Sequence, residues 1–306
     1  MPRHLLSVVD YADRFELVID RAIAMKRAYK AGRRERPLEG RTLGMIFEKP
    51  STRTRLSFEV GIFQLGGQGI FLSPKDMQLG RGETVADTAR VLSRYVDAIM
   101  YRAFDHRMVA ELAAASSVPV INALDDREHP CQIMADLMTV KEHFGALKGR
   151  RIAYVGDGNN VANSLVLGCA LVGAQLRIAT PPGFEVDTGI REKAVALAKG
   201  TGAKVETARD PAWAVERADV VYTDVWTSMG QEDEEENRKR IFSSYQVNSA
   251  LMAKAGPKAK FMHCLPAHRG LEVTDQVLDS AASIVYDQAE NRLHAQKAIL
   301  VDLILG

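Results

Sequence analysis

The sequence has only three cysteines, Cys131, Cys169 and Cys264, an odd number set far apart. That excludes a disulfide framework and a paired-cysteine metal motif, and it fits a reducing compartment. There is almost no net charge, since 40 basic residues against 39 acidic ones leave +1. Binding to nucleic acid or to a membrane surface through bulk electrostatics is therefore not expected. No apolar run approaches the length of a membrane span. The opening MPRHLLSVVDYADRFELVID places Asp10, Asp13 and Glu16 where a signal peptide needs its apolar core, so the cytoplasm is the expected location. A Ser/Pro-rich tether is also missing. What remains is ordinary globular composition, 46% hydrophobic and 26% charged over 306 residues, which is long enough for two domains.

Short apolar runs alternate with helical patterns. RTLGMIFEK (41–49), GQGIFLSP (67–74), DAIMYRAF (97–104) and VPVINALDD (118–126) read as strands, with helices at 85–96 and 108–115 among them. A helix over about 132–145 and the basic loop LKGRR lead to a second series: RIAYVGDG, AQLRIATP, AKVETA, DVVYTDVW and KFMHCLPA as strands. A helix over about 291–305 closes the chain. The expected fold is α/β, two domains, each a parallel sheet flanked by helices. Their boundary is expected inside the helix near 132–147. Open parallel sheets bind ligands beyond the carboxyl ends of their strands, and nearly every chemical cluster here sits at such an end.

The richest cluster is Ser51-Thr52-Arg53-Thr54-Arg55, just after Pro50. Leu56, Val60 and Phe63 recur at helical spacing behind it, and Gly66-Gly67 stop the element. A helix start offers unpaired N–H groups and positive dipole, and hydroxyls with an arginine fork complete a phosphate seat. Arg53, nearer the start, is the preferred anion ligand over Arg55. A solvated, capped helix with surface arginines is the plainer alternative.

Arg102 ends a strand and offers a cation, or a surface salt bridge. His129-Pro130-Cys131-Gln132 opens a helix, where His129 and Gln132 can donate to a carbonyl or phosphate oxygen. Gly156-Asp157-Gly158-Asn159-Asn160 invites a dinucleotide reading. That fails on Val161, where a third glycine is needed, and on Ala179-Thr180-Pro181-Pro182, where an acidic residue is needed. Asn159 and Asn160 remain as polar groups suited to a carboxylate. Asp224 and Ser228, in DVWTSMG, suit an ammonium group. The adjoining QEDEEENRKR run reads as a solvated face or a mobile flap. His263-Cys264-Leu265-Pro266 suggests a nucleophile or, with His268, a metal site. The spacing matches no metal template, and a noncovalent polar contact is the expected role for Cys264. Arg292, read as opening the last helix, is a cap, a salt bridge or an anion clamp.

Taken together, STRTR, HPxQ, DVWTSMG, HCLP and the two α/β halves resemble the aspartate/ornithine carbamoyltransferase family over nearly the whole chain, and the last two motifs resemble its ornithine branch. The resemblance implies a carbamoyl phosphate domain of residues 1–132 plus a C-terminal helix of about 290–306 that packs back on it, and an ornithine domain of 133–289. It implies carbamoyl phosphate held by Ser51, Thr52, Arg53, Thr54, Gln78, Arg102, His129, Gln132, Cys264, Leu265 and Arg292. It implies ornithine held by Asn160, Asp224, Ser228 and Met229, with Arg102, His129, Cys264 and Asp224 catalytic and Arg55 structural. No metal or organic cofactor is expected, because carbamoyl phosphate is already activated. The partners expected are the two small substrates and two further copies of the chain, in a homotrimer whose Gln78 loop reaches a neighbour's site. Carbamoyltransferases acting on putrescine or N-acetylornithine are the nearest alternatives, and the direction of arginine metabolism served stays open.

Overall fold

The computed structural model describes residues 2–73, 77–78, 82–228, 230 and 232–306 (for Glu232, the backbone). The chain divides into two compact units, Met1–Met138 with Glu290–Gly306, and Thr139–Ala289.

The first unit runs α1 (Phe15–Lys30), β1 (Thr42–Phe47), α2 (Thr52–Gln64), β2 (Gln68–Leu72), α3 (Val85–Leu92), β3 (Ala98–Arg102), α4 (His106–Ala115), β4 (Val120–Leu124) and α5 (Pro130–Phe144), whose last residues enter the second unit. Its sheet is parallel, in the order β2-β1-β3-β4. Every residue of β3 is buried, as expected of a central parallel strand covered on both faces. Phe47 pairs with Arg102 and Arg102 with Leu124, so β1, β3 and β4 end level. That common rim is what positions the site.

The second unit contains β5 (Arg151–Val155), α6 (Asn160–Val172), β6 (Gln175–Ala179), α7 (Thr188–Thr201), β7 (Lys204–Ala208), α8 (Pro211–Val215), β8 (Val220–Thr223), α9 (Glu235–Phe242), α10 (Ser249–Met252), β9 (Lys260–His263), α11 (Asp275–Leu278) and the start of α12 (Val285–Leu305). Its parallel sheet has the order β7-β6-β5-β8-β9. The chain turns outward one way from β5 to β7, then returns on the other side at β8. The switch point lies at the carboxyl ends of β5 and β8.

Three findings sharpen or correct the expected picture. First, α2 is a helix, but Leu56, Val60 and Phe63 are 54%, 38% and 76% exposed, while Thr54, Ser57, Phe58, Gly61 and Ile62 are buried. Spacing identifies a helix without saying which stripe faces the core. Second, α12 begins at Val285, so Arg292 lies inside it and is no cap. The residues from Glu290 onward pack in the first unit, where Lys26 Nζ donates to Asn291 Oδ1 at 2.7 Å and Arg14 pairs with Asp302 at 3.2 Å. Third, the acidic-basic run is not a wholly solvated face. Residues Glu235–Phe242 form α9, and Arg238 within it is buried. Among the described residues, no helix is long and apolar enough to cross a membrane.

Candidate active site

At the rim of the first sheet, Ser51 caps α2 in extended backbone, and its hydroxyl accepts from Thr54 N at 3.2 Å. The amides of the first helical turn therefore project from the helix start. Thr54 is a hub. Its Oγ1 accepts from Ser51 Oγ at 3.1 Å, from Arg292 Nη2 at 3.2 Å and from Arg102 Nη1 at 3.5 Å. Arg292 also donates to Gln132 Oε1, and Gln132 Nε2 donates to Asp136 Oδ1 at 2.8 Å. Arg102, His129, Gln132 and Arg292 are all buried. Gathering two buried guanidiniums on one hydroxyl costs electrostatic energy that an anion offsets. The helix dipole adds to the same field.

His129 lies in this field. Burial first, then the charges of Arg292 and Arg102, hold its pKa well below the usual imidazole range. It is neutral at pH 7, with one N–H to donate toward an oxygen. Arg53 is half-buried and Thr52 exposed on the first turn. Arg55 turns away, pairing with Glu59 at 3.2 Å and lying 4.1 Å over the Phe71 ring. Gln78 is exposed in the loop after β2.

At the rim of the second sheet, Cys264 Sγ donates to Asp224 Oδ1 at 2.9 Å. Asn159 Nδ2 donates to Asp224 Oδ2 at 2.8 Å, while its Oδ1 caps α6 by accepting from Val161 N and Ala162 N. Asn159 is thus taken up in holding Asp224, not offered to a carboxylate. The cap was visible in sequence, as an Asn before an apolar helical run. Its bond to Asp224 spans 65 positions and was not. Asn160 begins α6, and Ser228 is half-buried after β8. Met229 lies outside the described residues.

His263 and Glu272 are fully buried behind the Cys264 loop. His263 Nδ1 accepts from Leu265 N at 2.8 Å, so Nε2 carries the proton and donates to Glu272 Oε1 at 3.1 Å. The bond to Leu265 N anchors that residue at φ +59°, a left-handed conformation costly for leucine. Asp224, His263 and Cys264 have ligand atoms within 4.8 Å of one another, closer than their sequence spacing indicates. Both nitrogens of His263 are engaged, however, so a metal ligated by that ring would have to break one of these bonds.

Gly158, after β5, serves packing. A Cβ on Gly158 would stand 2.5 Å from the backbone of Glu185 and Val186. Asp157 turns to Arg238 Nη1 at 2.8 Å.

The chain is similar to known proteins over nearly its whole length. The family described as aspartate/ornithine carbamoyltransferase, carbamoyl-P binding domain, matches residues 3–142, and the corresponding Asp/Orn binding domain matches 148–303. The ornithine carbamoyltransferase of Thermococcus kodakarensis is 55% identical over 305 residues, 99% of this chain and 96% of that protein. That of Methanothermobacter thermautotrophicus is 57% identical over 299 residues, 97% of each chain. The solved ornithine carbamoyltransferase from Pyrococcus furiosus superposes with a TM-score of 0.97 at 54% identity, covering 100% of this chain and 98% of that one.

Proposed function

The chain belongs to the aspartate/ornithine carbamoyltransferase family, and from that premise we infer the reaction and the role of each residue. It is an enzyme that transfers the carbamoyl group of carbamoyl phosphate to the δ-amine of L-ornithine, giving L-citrulline and phosphate. The observation that carries the mechanism is the convergence of Arg102, Arg292 and the α2 helix start on Thr54, beside a neutral His129.

Carbamoyl phosphate is assigned to Ser51, Thr52, Arg53, Thr54, Arg102, His129, Gln132 and Arg292, and the family resemblance adds Cys264 and Leu265. Ornithine is assigned to Asn160, Asp224, Ser228 and Met229. The amine lone pair attacks the carbamoyl carbon, the new C–N bond forms, and the C–O bond to phosphate breaks. Arg102, His129 and the Thr54 hydroxyl stabilise the charge developing on the carbonyl oxygen, while Arg53 and the helix start take the departing phosphate. An alkylamine has a pKa of about 10.4, so making it neutral at pH 7 costs roughly 5 kcal/mol. The joined Asp224 and Cys264 orient that amine and receive hydrogen bonds from it, and the proton leaves finally on phosphate.

Citrulline formation assayed with ornithine, putrescine, N-acetylornithine and aspartate tests this reading. Turnover with ornithine is expected. Turnover only with another amine would overturn the Asp224 and Cys264 roles and keep the phosphate half. Arg53→Gly is expected to lower kcat/KM for carbamoyl phosphate by about 10²-fold or more. A change within a few-fold would remove Arg53 from the site.

A homotrimer is supported by the exposed apolar stripe of Leu56, Val60 and Phe63 on α2, which lines one groove with the exposed Phe71 of the edge strand β2. This face adjoins the helix start that holds Ser51, and the loop carrying Gln78 follows β2. A cyclic assembly would cover the face and bring Gln78 to a neighbour's phosphate. Phe63→Glu is expected to shift the sedimentation coefficient from trimer to monomer and to reduce turnover. An unchanged assembly would locate the interface elsewhere. That the three cysteines form no disulfide fits a reducing compartment such as the cytoplasm.

A further inference from the structure

We propose that Asp125 is a positioning residue for His129, acting through the turn 125–128 that joins β4 to α5. The inference rests on the carbamoyl transfer reading above, and it concerns a residue to which that reading gives no role.

β4 ends at Leu124 and α5 begins at Pro130, so His129 sits on a short connection between rigid elements. Asp125 is fully buried beneath it. Its Oδ1 accepts from the amides of Arg127 at 2.8 Å and Glu128 at 2.7 Å. Its Oδ2 accepts from Asn122 Nδ2 at 2.8 Å and lies 2.6 Å from His106 Nδ1. The Asp125 amide closes the turn by donating to Glu128 O at 3.0 Å. One carboxylate thus gathers bonds from β4, from α4 and from the two amides that immediately precede His129.

The next residue repeats the device. Glu128 is buried, and its carboxylate accepts from Ser7 Oγ and from Val8 N at 3.0 Å. The segment carrying Ser7 is itself pinned to β4, with Leu5 N donating to Val120 O and Asn122 N donating to Leu5 O. The turn is therefore fastened from inside by Asp125 and from outside by Glu128. Then the His129 carbonyl accepts from amides in the first turn of α5, Gln132 at 3.0 Å and Ile133 at 3.3 Å.

Only a carboxylate serves at 125. Four donors converge on it, and an ionised carboxylate accepts at about four sites while offering no proton of its own. An asparagine keeps the two amide bonds through its Oδ1. Its NH2 then faces the Asn122 amide group, which is held by a second bond to Leu6 O at 2.8 Å. An alanine leaves the turn without its inner closure. Because a displacement of about 1 Å at a catalytic group costs on the order of 10²-fold, the turn's geometry reaches the chemistry without touching substrate.

The experiment is a double-mutant cycle on turnover, with Asp125→Ala and Asp125→Asn each made in the wild-type and in the His129→Ala background. Asp125→Ala is expected to lower kcat/KM for carbamoyl phosphate by about 10²-fold, with KM for ornithine little changed. Asp125→Asn, which keeps the two amide bonds but sets its NH2 against the Asn122 amide group, is expected to lower it by about 10-fold. In the His129→Ala background both effects should shrink to within about two-fold, because a misplaced ring that is absent has nothing left to lose. Equal losses in both backgrounds would overturn the proposal and leave Asp125 a stability residue only, as would no loss in either. If Asp125→Ala does not fold, the Asp125→Asn arm decides the matter alone by the same comparison. Calorimetric binding of phosphonoacetamide, which carries both the carbonyl and the anion, runs in parallel on all variants. Should the wild type form no citrulline, the transfer reading fails. The non-additivity of phosphonoacetamide binding then still decides the role of Asp125.

Discussion

Arg102→Leu is expected to lower kcat for citrulline formation by about 10²–10³-fold, the loss that follows when a preorganised donor to a developing oxyanion is removed. The thermal stability without substrate is expected to change little. The reason lies in the charge arrangement. Arg102 and Arg292 both donate to Thr54 Oγ1, so two buried guanidiniums meet at one hydroxyl. Removing one relieves that repulsion, and Leu keeps much of the side chain's apolar volume. Arg102 is also one of the charges that depress the His129 pKa, after burial and Arg292. Its loss should move that pKa back toward the ordinary imidazole value, which a pH titration followed by NMR of the ring would detect. Turnover within ten-fold of wild type, or a marked loss of stability without substrate, would show that Arg102 is a structural residue.

Arg238→Met should destabilise the protein by about 3–5 kcal/mol at pH 8, the usual cost of leaving one member of a buried ion pair behind. Arg238 donates to Asp157 Oδ2 at 2.8 Å, to Trp226 O at 2.9 Å and to Glu234 Oε2 at 2.9 Å, and its guanidinium lies 4.9 Å over the Phe184 ring. Burial pushes Asp157 up to about 6, against the lowering influence of Arg238, while Asp224 and Glu234 raise it further. A raised carboxyl pKa means that this group's contribution to wild-type stability falls as pH rises from about 3.8 toward about 6 and is flat above that. Without Arg238 the Asp157 pKa climbs again, and the carboxyl takes up a proton near neutrality. The deficit of the variant should therefore be largest at pH 8 and clearly smaller at pH 5.5. Urea unfolding at the two pH values measures it. An equal deficit at both would show that Asp157 does not titrate with the loss of its partner. Releasing the Trp226 carbonyl also loosens the segment that carries Ser228, so KM for ornithine should rise more than KM for carbamoyl phosphate.

The strands were legible because parallel strands buried on both faces read as unbroken apolar runs, as in β1 and β3. The rim clusters were legible because loops after such strands carry polar residues with few structural alternatives. The stripe Leu56, Val60 and Phe63 shows the limit of periodicity, which detects a helix yet cannot distinguish a core-facing surface from one left outside. The charge run around α9 shows another. In a row of acidic and basic residues, nothing local marks Arg238 as the one that turns inward, because its partner Asp157 is 81 positions away.

The sequence by itself determined the two α/β halves, the helix start at Ser51, the rim positions of Arg102, His129, Asp224 and Cys264, and the family. Each of these is written in residues adjacent along the chain, where propensity and spacing act directly. Only the tertiary structure decided that Thr54 is the meeting point of Arg102 and Arg292, that Asn159 holds Asp224, that His263 is locked by Glu272, and that Asp125 closes the turn before His129. Most of these contacts join elements far apart in sequence. Even the short bond from Asp125 to Glu128 takes its meaning from the burial around it. A hydrogen bond depends on distance and direction between two atoms, and those are set by sheet order and register rather than by any residue alone.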